Sequence, residues 1–262
     1  MARSAASEEN SDPLPLIAPP SAPPAAPPAP PADLRALAES AAVLLEDADA
    51  ADVIAWARRE FGTGLVVASS MADTHLVHLA QSVAPGIDVL FLDTGYHFAE
   101  TIGTRDAVAT VYDVNVVTMT PHQTVAEQAL TYGAHLYQRD PDRCCALRKV
   151  EPLERGLRPY RAWITGMRRE DARTRAGMRV VEYDKARDKI TVAPLARWTQ
   201  QDVDAYVTRH QVLVNPLLYD GYTSIGCAPC TRRPSPGADP RSGRWAGSSK
   251  TECGLRQQPG RQ

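Results

Sequence analysis

Five cysteines dominate the chemistry available to this chain. An adjacent pair, Cys144 and Cys145, and a Cys227-Ala-Pro-Cys230 pair stand far apart, and a fifth, Cys253, lies near the C-terminal end. Two pairs brought together by folding can supply four sulfurs to one metal centre. Adjacent cysteines rarely bridge each other, because the ring that such a disulfide closes is strained. An odd count with two neighbours argues against a secreted disulfide framework and for a reducing compartment. A thioredoxin-like redox pair is the competing reading of Cys-x-x-Cys. That motif opens a helix after an early strand, whereas here it follows Gly-Tyr-Thr-Ser-Ile-Gly. Adjacent sulfurs suit a single small zinc ion poorly, while each can bind a different iron of one cluster, so a [4Fe-4S] cluster is preferred and zinc stays open. The leftover thiol sits in Lys250-Thr-Glu-Cys-Gly-Leu255, a setting better suited to reaction than to packing as a small hydrophobe.

Charge narrows the partners. Lys and Arg total 29 against 31 Asp and Glu, a net charge of −2, so bulk electrostatics do not advertise nucleic acid or a membrane. Anion binding must come from local arginines. No apolar run reaches the length that spans a bilayer, and prolines from Pro13 onward interrupt any signal-peptide core, so a cytoplasmic location is expected. Residues 1–32 are Pro-, Ala- and Ser-rich, with too little side-chain area to offset the entropy of ordering, and read as a disordered or polyproline-like tail. Residues 33–235 suffice for one nucleotide-binding domain carrying the metal site. Residues 236–262, with glycines at 237, 243, 247 and 254, read as a mobile segment that brings Cys253 over a filled pocket.

The elements that must position these groups follow from periodicity. Leu34, Leu37, Leu44 and Leu45, then Val53, Ile54, Trp56, Ala57 and Phe61, mark two leading helices. Strands are expected at 64–69, 87–92, 114–119 and 162–165, helices at 73–82 and 98–112, and a helix capped by Thr199. Such alternation implies right-handed crossovers and an α/β, doubly wound, mainly parallel sheet, whose ligands sit at the carboxyl ends of strands. Polar residues lie at those ends. Ser69 and Ser70 follow the first strand, where hydroxyls and free backbone N–H groups can hold an anion. Asp93, Thr94 and Gly95 follow the second and suit a ribose or base. Gly166 follows the 162–165 strand and opens a stretch with four arginines, among them Arg175. Helix caps and a solvated arginine face are the plainer readings of each segment alone; together on one sheet edge they favour a nucleotide pocket. Arg241, Arg244 and Lys250 add cations near Cys253.

The segments Leu92-Asp-Thr-Gly95, Cys144-Cys-Ala-Leu-Arg-Lys-Val-Glu-Pro-Leu153, Trp163-Ile-Thr-Gly166, Ser224-Ile-Gly-Cys-Ala-Pro-Cys-Thr231, Arg241-Ser-Gly-Arg-Trp245 and Lys250-Thr-Glu-Cys-Gly-Leu255 closely resemble the assimilatory adenylyl-sulfate reductases of bacteria, over roughly residues 50 to 256. The resemblance implies the adenine nucleotide α-hydrolase-like fold of ATP pyrophosphatases. It implies a [4Fe-4S] cluster on Cys144, Cys145, Cys227 and Cys230, with Lys149 between cluster and substrate. Cys253 is the implied nucleophile, forming an S-sulfocysteine that thioredoxin or a glutaredoxin-like protein resolves to sulfite. Arg175, Arg241 and Arg244 are the candidates to hold the phosphosulfate. Because thiols deliver both electrons, the cluster is expected to tune electrostatics without changing redox state.

Two departures stand out. The family usually follows Glu-Cys-Gly-Leu with His, and here Arg256 can replace only the charge. The loop Ser69-Ser-Met-Ala-Asp-Thr74 also lacks the glycines with which ATP pyrophosphatases approach pyrophosphate, which argues against a sulfur-transferring tRNA-modifying enzyme of that kind. Phosphoadenylyl-sulfate reduction remains the nearest alternative, and a zinc-stapled nucleotide- or RNA-binding protein the alternative from another class.

Overall fold

The computed structural model describes residues 33–248, 250 and 252–255. The tail at 1–32 and Arg256 lie outside them. Two helices lead the fold. In α1 (Leu34–Leu44) the Asp33 carboxylate accepts from the backbone N–H groups of Arg35 and Ala36, and Leu34, Ala38, Ala41 and Ala42 face inward at helical spacing. α2 (Ala50–Phe61) buries Val53, Ile54, Trp56, Ala57 and Phe61 and stops at Gly62.

Six strands follow: β1 (Leu65–Ala68), β2 (Ile87–Leu92), β3 (Val114–Met119), β4 (Ala162–Thr165), β5 (Val181–Asp184) and β6 (Lys189–Val192). They form one sheet in the order β3-β2-β1-β4-β6-β5, parallel except for β5, which runs antiparallel to β6. The chain first winds from β1 outward through α3 (His75–Val83), β2 and α4 (Ala99–Val111) to β3. It then returns to the opposite side of β1 to lay down β4, so β1 and β4 are neighbours with the winding reversed between them. The crossovers that leave their carboxyl ends diverge there and open a crevice, the place where open α/β sheets hold ligands. Ser69 and Gly166 stand on its two lips.

The four parallel strands expected from the sequence are present, β2, β3 and β4 with the same bounds. The hairpin β5–β6 was not anticipated. Its first strand reads Val-Glu-Tyr-Asp, with Val181 buried and Glu182 exposed, too short and too polar to stand out by alternation. α3 also begins later than expected. Met71 takes a left-handed conformation (φ 55°), and the Thr74 hydroxyl donates to the Leu213 carbonyl, so residues 69–74 are spent on a turn before the helix. That turn is locked from behind. The Asn215 amide, fully buried, donates to the Met71 carbonyl (3.0 Å) and to Thr101 Oγ1 (3.1 Å), and its oxygen accepts from Leu217 N–H (3.1 Å). Asn215 follows α9 (Gln200–His210), whose start carries the expected Thr199 cap as a full capping box with Asp202.

Replacing Asn215 with alanine leaves the Met71 carbonyl and the Leu217 N–H buried without partners. The expected cost is about 2 kcal/mol of folding stability, measured as a lowered urea midpoint with an unchanged m-value.

Candidate active site

The adjacent cysteines end a short helix, α7 (Pro141–Cys145), which follows α6 (Leu136–Arg139) and the α5 helix (Val125–Tyr132). The chain continues without a break into a π-helical turn, Ala146–Val150, and then α8 (Glu151–Gly156). Pro152 accounts for the wide turn. A proline has no N–H to give to the carbonyl four residues back and its ring crowds that carbonyl, so the helix loosens one turn earlier. On such a helix, residues i, i+1, i+4 and i+5 share one side. Cys144, Cys145, Arg148 and Lys149 accordingly line a single pocket.

Its opposite wall is Cys227, Pro229 and Cys230, on the short 3₁₀ turn Ala228–Cys230. That is not the start of a long helix, as a thioredoxin-like pair would need. Tyr96, Tyr137 and Trp245 complete the wall. The turn is fastened to the rest: Ala228 N–H donates to the Tyr96 carbonyl (2.7 Å), Trp245 N–H to the Cys230 carbonyl (2.9 Å), and Thr231 bridges to Arg244 in antiparallel fashion.

The four thiols feel one another. Burial, and then the neighbouring Cys145, Cys227 and Cys230, push the Cys144 thiol up to about 12. Burial and Cys227 push Cys230 up to about 11, although Lys149 pulls the other way. Burial also raises Cys145, against Lys149 and Lys250. Thiols so placed hold their protons until a metal displaces them. Among the described residues, no three His, Cys, Asp or Glu side chains gather closely enough for a single metal ion. Four cysteine side chains, two of them adjacent in sequence, line this one pocket, and adjacent thiolates can each bind a different iron of one cluster.

Lys149 is the electrostatic counterpart. Burial works against its charge, but the nearby sulfurs of Cys227, Cys253 and Cys145 favour it more and hold its pKa above the ordinary lysine value. Arg244 is lowered, by burial first and then by Arg241, with Cys253 opposing. Its guanidinium stacks over Trp245 (4.6 Å) and reaches Ser224 Oγ and the Ile225 carbonyl, while its Nε is buried without a hydrogen-bond partner. A Cβ on Gly226 would collide with this guanidinium. Cys253 is within electrostatic reach of two cations, Lys149 and Arg244, neither of which has a carboxylate in ion-pair contact among the described residues.

The remaining expected residues divide. Ser70 and Gly166 are exposed at the crevice. The Ser69 hydroxyl accepts from Met71 N–H (3.2 Å) and shapes the turn. The Asp93 carboxylate accepts from Gly95 N–H (2.9 Å), with Arg105 at 3.7 Å. Thr94 faces the cysteines: it is 1% exposed, and its hydroxyl meets Cys227 Sγ at 3.3 Å. Arg175 and Arg241 both reach Glu252, the residue before Cys253. Of the other arginines after Gly166, Arg168 is bound to Asp171 and Gln200, and Arg169 to Glu46 and the Met178 carbonyl.

Sequence reasoning missed Arg148. Buried to 3% exposure, it donates to the carbonyls of Thr94 (2.5 Å) and Gln123 (3.2 Å) and to Gln128 Oε1 (3.0 Å), and stacks over Tyr96. Its position four residues after Cys144 was the available signal.

The sequence profile of the family described as the phosphoadenosine phosphosulfate reductase domain matches residues 64–233. The chain belongs to this family. It is 61% identical over 223 residues to the adenosine 5'-phosphosulfate reductase of Streptomyces coelicolor and 57% identical over 223 residues to that of Mycolicibacterium smegmatis, in both cases over 85% of this chain and 94% of the relative. The same name belongs to a Mycobacterium tuberculosis relative, 53% identical over 239 residues, with the same coverage. The crystal structure of a phosphoadenylyl-sulfate reductase from Candida auris in complex with phosphate superposes with a TM-score of 0.67 at 26% identity, covering 78% of this chain and all of that one. A Candida glabrata FMN adenylyltransferase in complex with FMN and an ATP analogue shares the fold alone (TM-score 0.52, 13% identity, 79% of this chain and 77% of that one). No helix among the described residues is long and apolar enough to cross a membrane.

Gly95 keeps the reductase's thiol pocket closed. Its φ of +70° disfavours any side chain, and a Cβ would lie 2.9 Å from Arg148 Nη2. Gly95→Ala is expected to cost about 2–3 kcal/mol and to speed the reaction of the buried thiols with an aromatic disulfide in metal-free protein. Gly86→Ala, at φ +71° with open space around it, should cost only about 1 kcal/mol and leave thiol reactivity unchanged.

Proposed function

We propose that this reductase converts adenylyl sulfate to sulfite and AMP through an S-sulfocysteine on Cys253, in sulfate assimilation, with thioredoxin or a glutaredoxin-like protein as the electron donor. The observation that carries the reading is the junction at Cys253. The thiol is within electrostatic reach of Lys149, Arg244 and Cys145 of the four-cysteine pocket, and Leu255, two residues on, packs against Val66 of β1 and Trp163 of β4, the strands that flank the switch point. Identity above 50% to several relatives named for this activity supports it, whereas the likeness to a phosphoadenylyl-sulfate reductase is at 26% identity.

The nucleoside of the substrate lies over Ser70 and Gly166 at the ends of β1 and β4, and its phosphosulfate points toward Lys149 and Arg244. The Cys253 thiolate attacks the sulfate sulfur; the S–O bond to AMP breaks and AMP departs with that electron pair. Cations fixed beside the departing oxygen stabilise charge that develops only as the bond breaks, so they act on the rate rather than on binding alone. A donor thiolate then attacks Cys253 Sγ, sulfite leaves with the electron pair of the S–S bond, and the donor's second thiol resolves the mixed disulfide. The dithiol is oxidised to a disulfide and sulfur falls from the sulfate to the sulfite state, a balanced two-electron change.

Cys144, Cys145, Cys227 and Cys230 would hold the [4Fe-4S] cluster, whose contribution when bound is to the electrostatics of the pocket. Lys149, on the turn after Cys145, joins that pocket to Cys253.

Anaerobic sulfite release with thioredoxin, comparing adenylyl sulfate with its 3′-phosphorylated form, tests the assignment. A preference for adenylyl sulfate is expected, and Cys253→Ser should abolish turnover while retaining iron. The opposite preference would move the substrate and keep the mechanism. Cys227→Ser should lose most of the iron, sulfide and visible absorption, and zinc in a colourless wild-type protein would overturn the cluster.

A further inference from the structure

Arg175 is the arginine whose surroundings fit a substrate ligand least well. Both sides of its guanidinium are occupied by carboxylates. Nη1 donates to Asp171 Oδ2 at 3.1 Å, and Nη2 donates to Glu252 Oε1 at 2.9 Å and Oε2 at 3.2 Å. The same Glu252 carboxylate meets Arg241 Nη2 at 3.3 Å. Asp171, Arg175, Glu252 and Arg241 form a row of alternating charge, extended at Asp171 by Arg168, in which Arg175 lies between two carboxylates and its donors are taken while the row stands. The side chains are partly withdrawn from water, Arg175 at 13% exposure and Glu252 at 33%, which makes the pairing stronger than a surface contact.

Glu252 is the residue immediately before the nucleophile. Two residues after Cys253, Leu255 packs against the cluster of Val66, Leu90 and Trp163, and its carbonyl accepts from Arg187 Nη2 at 3.1 Å. Arg187 is itself fixed, at 3% exposure, by Glu154 and Asp184. The peptide carrying Cys253 is therefore pinned on both sides, by a carboxylate clasp before it and a backbone clasp after it.

We propose that Arg175 and Glu252 are positioning residues for the proposed reaction: their ion pair docks the peptide that presents Cys253, and the phosphosulfate is left to Lys149 and Arg244. This rests on the function proposed above and assigns a division of labour within it. Anchoring a nucleophile acts on the approach of the reacting atoms, and a displacement of about 1 Å costs on the order of a hundredfold in rate. A residue that binds substrate equally before and during reaction acts on KM instead.

The test is a double-mutant cycle of Arg175→Gln, Glu252→Gln and the double variant in cluster-loaded protein. It reads single-turnover S-sulfonation of Cys253 by intact mass, KM for adenylyl sulfate, and the rate at which iodoacetamide labels Cys253 without nucleotide. Each single variant should slow S-sulfonation by roughly 10- to 100-fold with KM within about threefold of wild type. Each should raise the labelling rate by the same factor, and the double variant should be no worse than the poorer single one. A rise of tenfold or more in KM for Arg175→Gln that Glu252→Gln does not share, or effects that multiply in the double variant, would overturn the proposal and return Arg175 to the substrate. If a glutamine variant does not fold, Arg175→Lys, which keeps the charge and loses the fork, should show the same rate-selective loss. The labelling arm stands apart from catalysis. Wild-type protein that releases no sulfite would defeat the function proposed above, while coupled labelling would still support the docking pair.

Discussion

The site hangs on one buried cation. Among the described residues Arg148 has no carboxylate partner; two carbonyls and a side-chain amide oxygen satisfy its donors instead, beneath the ring of Tyr96. Those contacts clamp the helical run that carries Cys144 and Cys145 onto the loop after β2. The same loop offers the Tyr96 carbonyl to Ala228 and so seats the second cysteine pair. Removing one partner from such a buried network strands the rest away from water, so it holds as a unit or fails as one. The loop can come this close only because Gly95 has no side chain.

Around that clamp the charges are sorted by partner. Arg168, Arg169, Arg175 and Arg187 are each matched by nearby carboxylates. Among the described residues Lys149 and Arg244 have no such carboxylate, and the nearby cysteine sulfurs favour the Lys149 charge against the cost of burial. The arrangement lets a polar crevice be rich in cations yet offer only a few of them to a ligand. Unmatched, partly desolvated charge is what an anionic leaving group can use, because water screens it least.

The sheet supplies the frame. Reversal of winding between β1 and β4 opens the crevice, and the turn at residues 69–74, braced by Asn215, fixes one lip. The segment carrying Cys253 comes from the far end of the chain, and its Leu255 finishes a small core with Val66, Leu90 and Trp163. The switch-point crevice, the thiol pocket and the Cys253 segment are therefore built by parts of the chain far apart in sequence.

Much of this was legible beforehand. Strands with continuous apolar runs, the Thr199 capping box and the cysteine pattern are local signals, written in short windows, and periodicity alone set the α/β order. The resemblance of six segments to one reductase family was equally local. The hairpin β5–β6 was not legible, because four residues of mixed polarity carry no periodic signal. Nor were the partners of Thr94, Arg148, Arg175 and Glu252, since residue type does not reveal which group a side chain will meet across 54 or 77 positions of sequence. The sequence by itself determined which groups this protein owns: four paired thiols, one spare thiol and a surplus of arginines near strand ends. Only the tertiary structure decided which arginines are neutralised by carboxylates and which remain open beside Cys253, because Coulomb interactions depend on distance and solvent exposure, and both are set by packing.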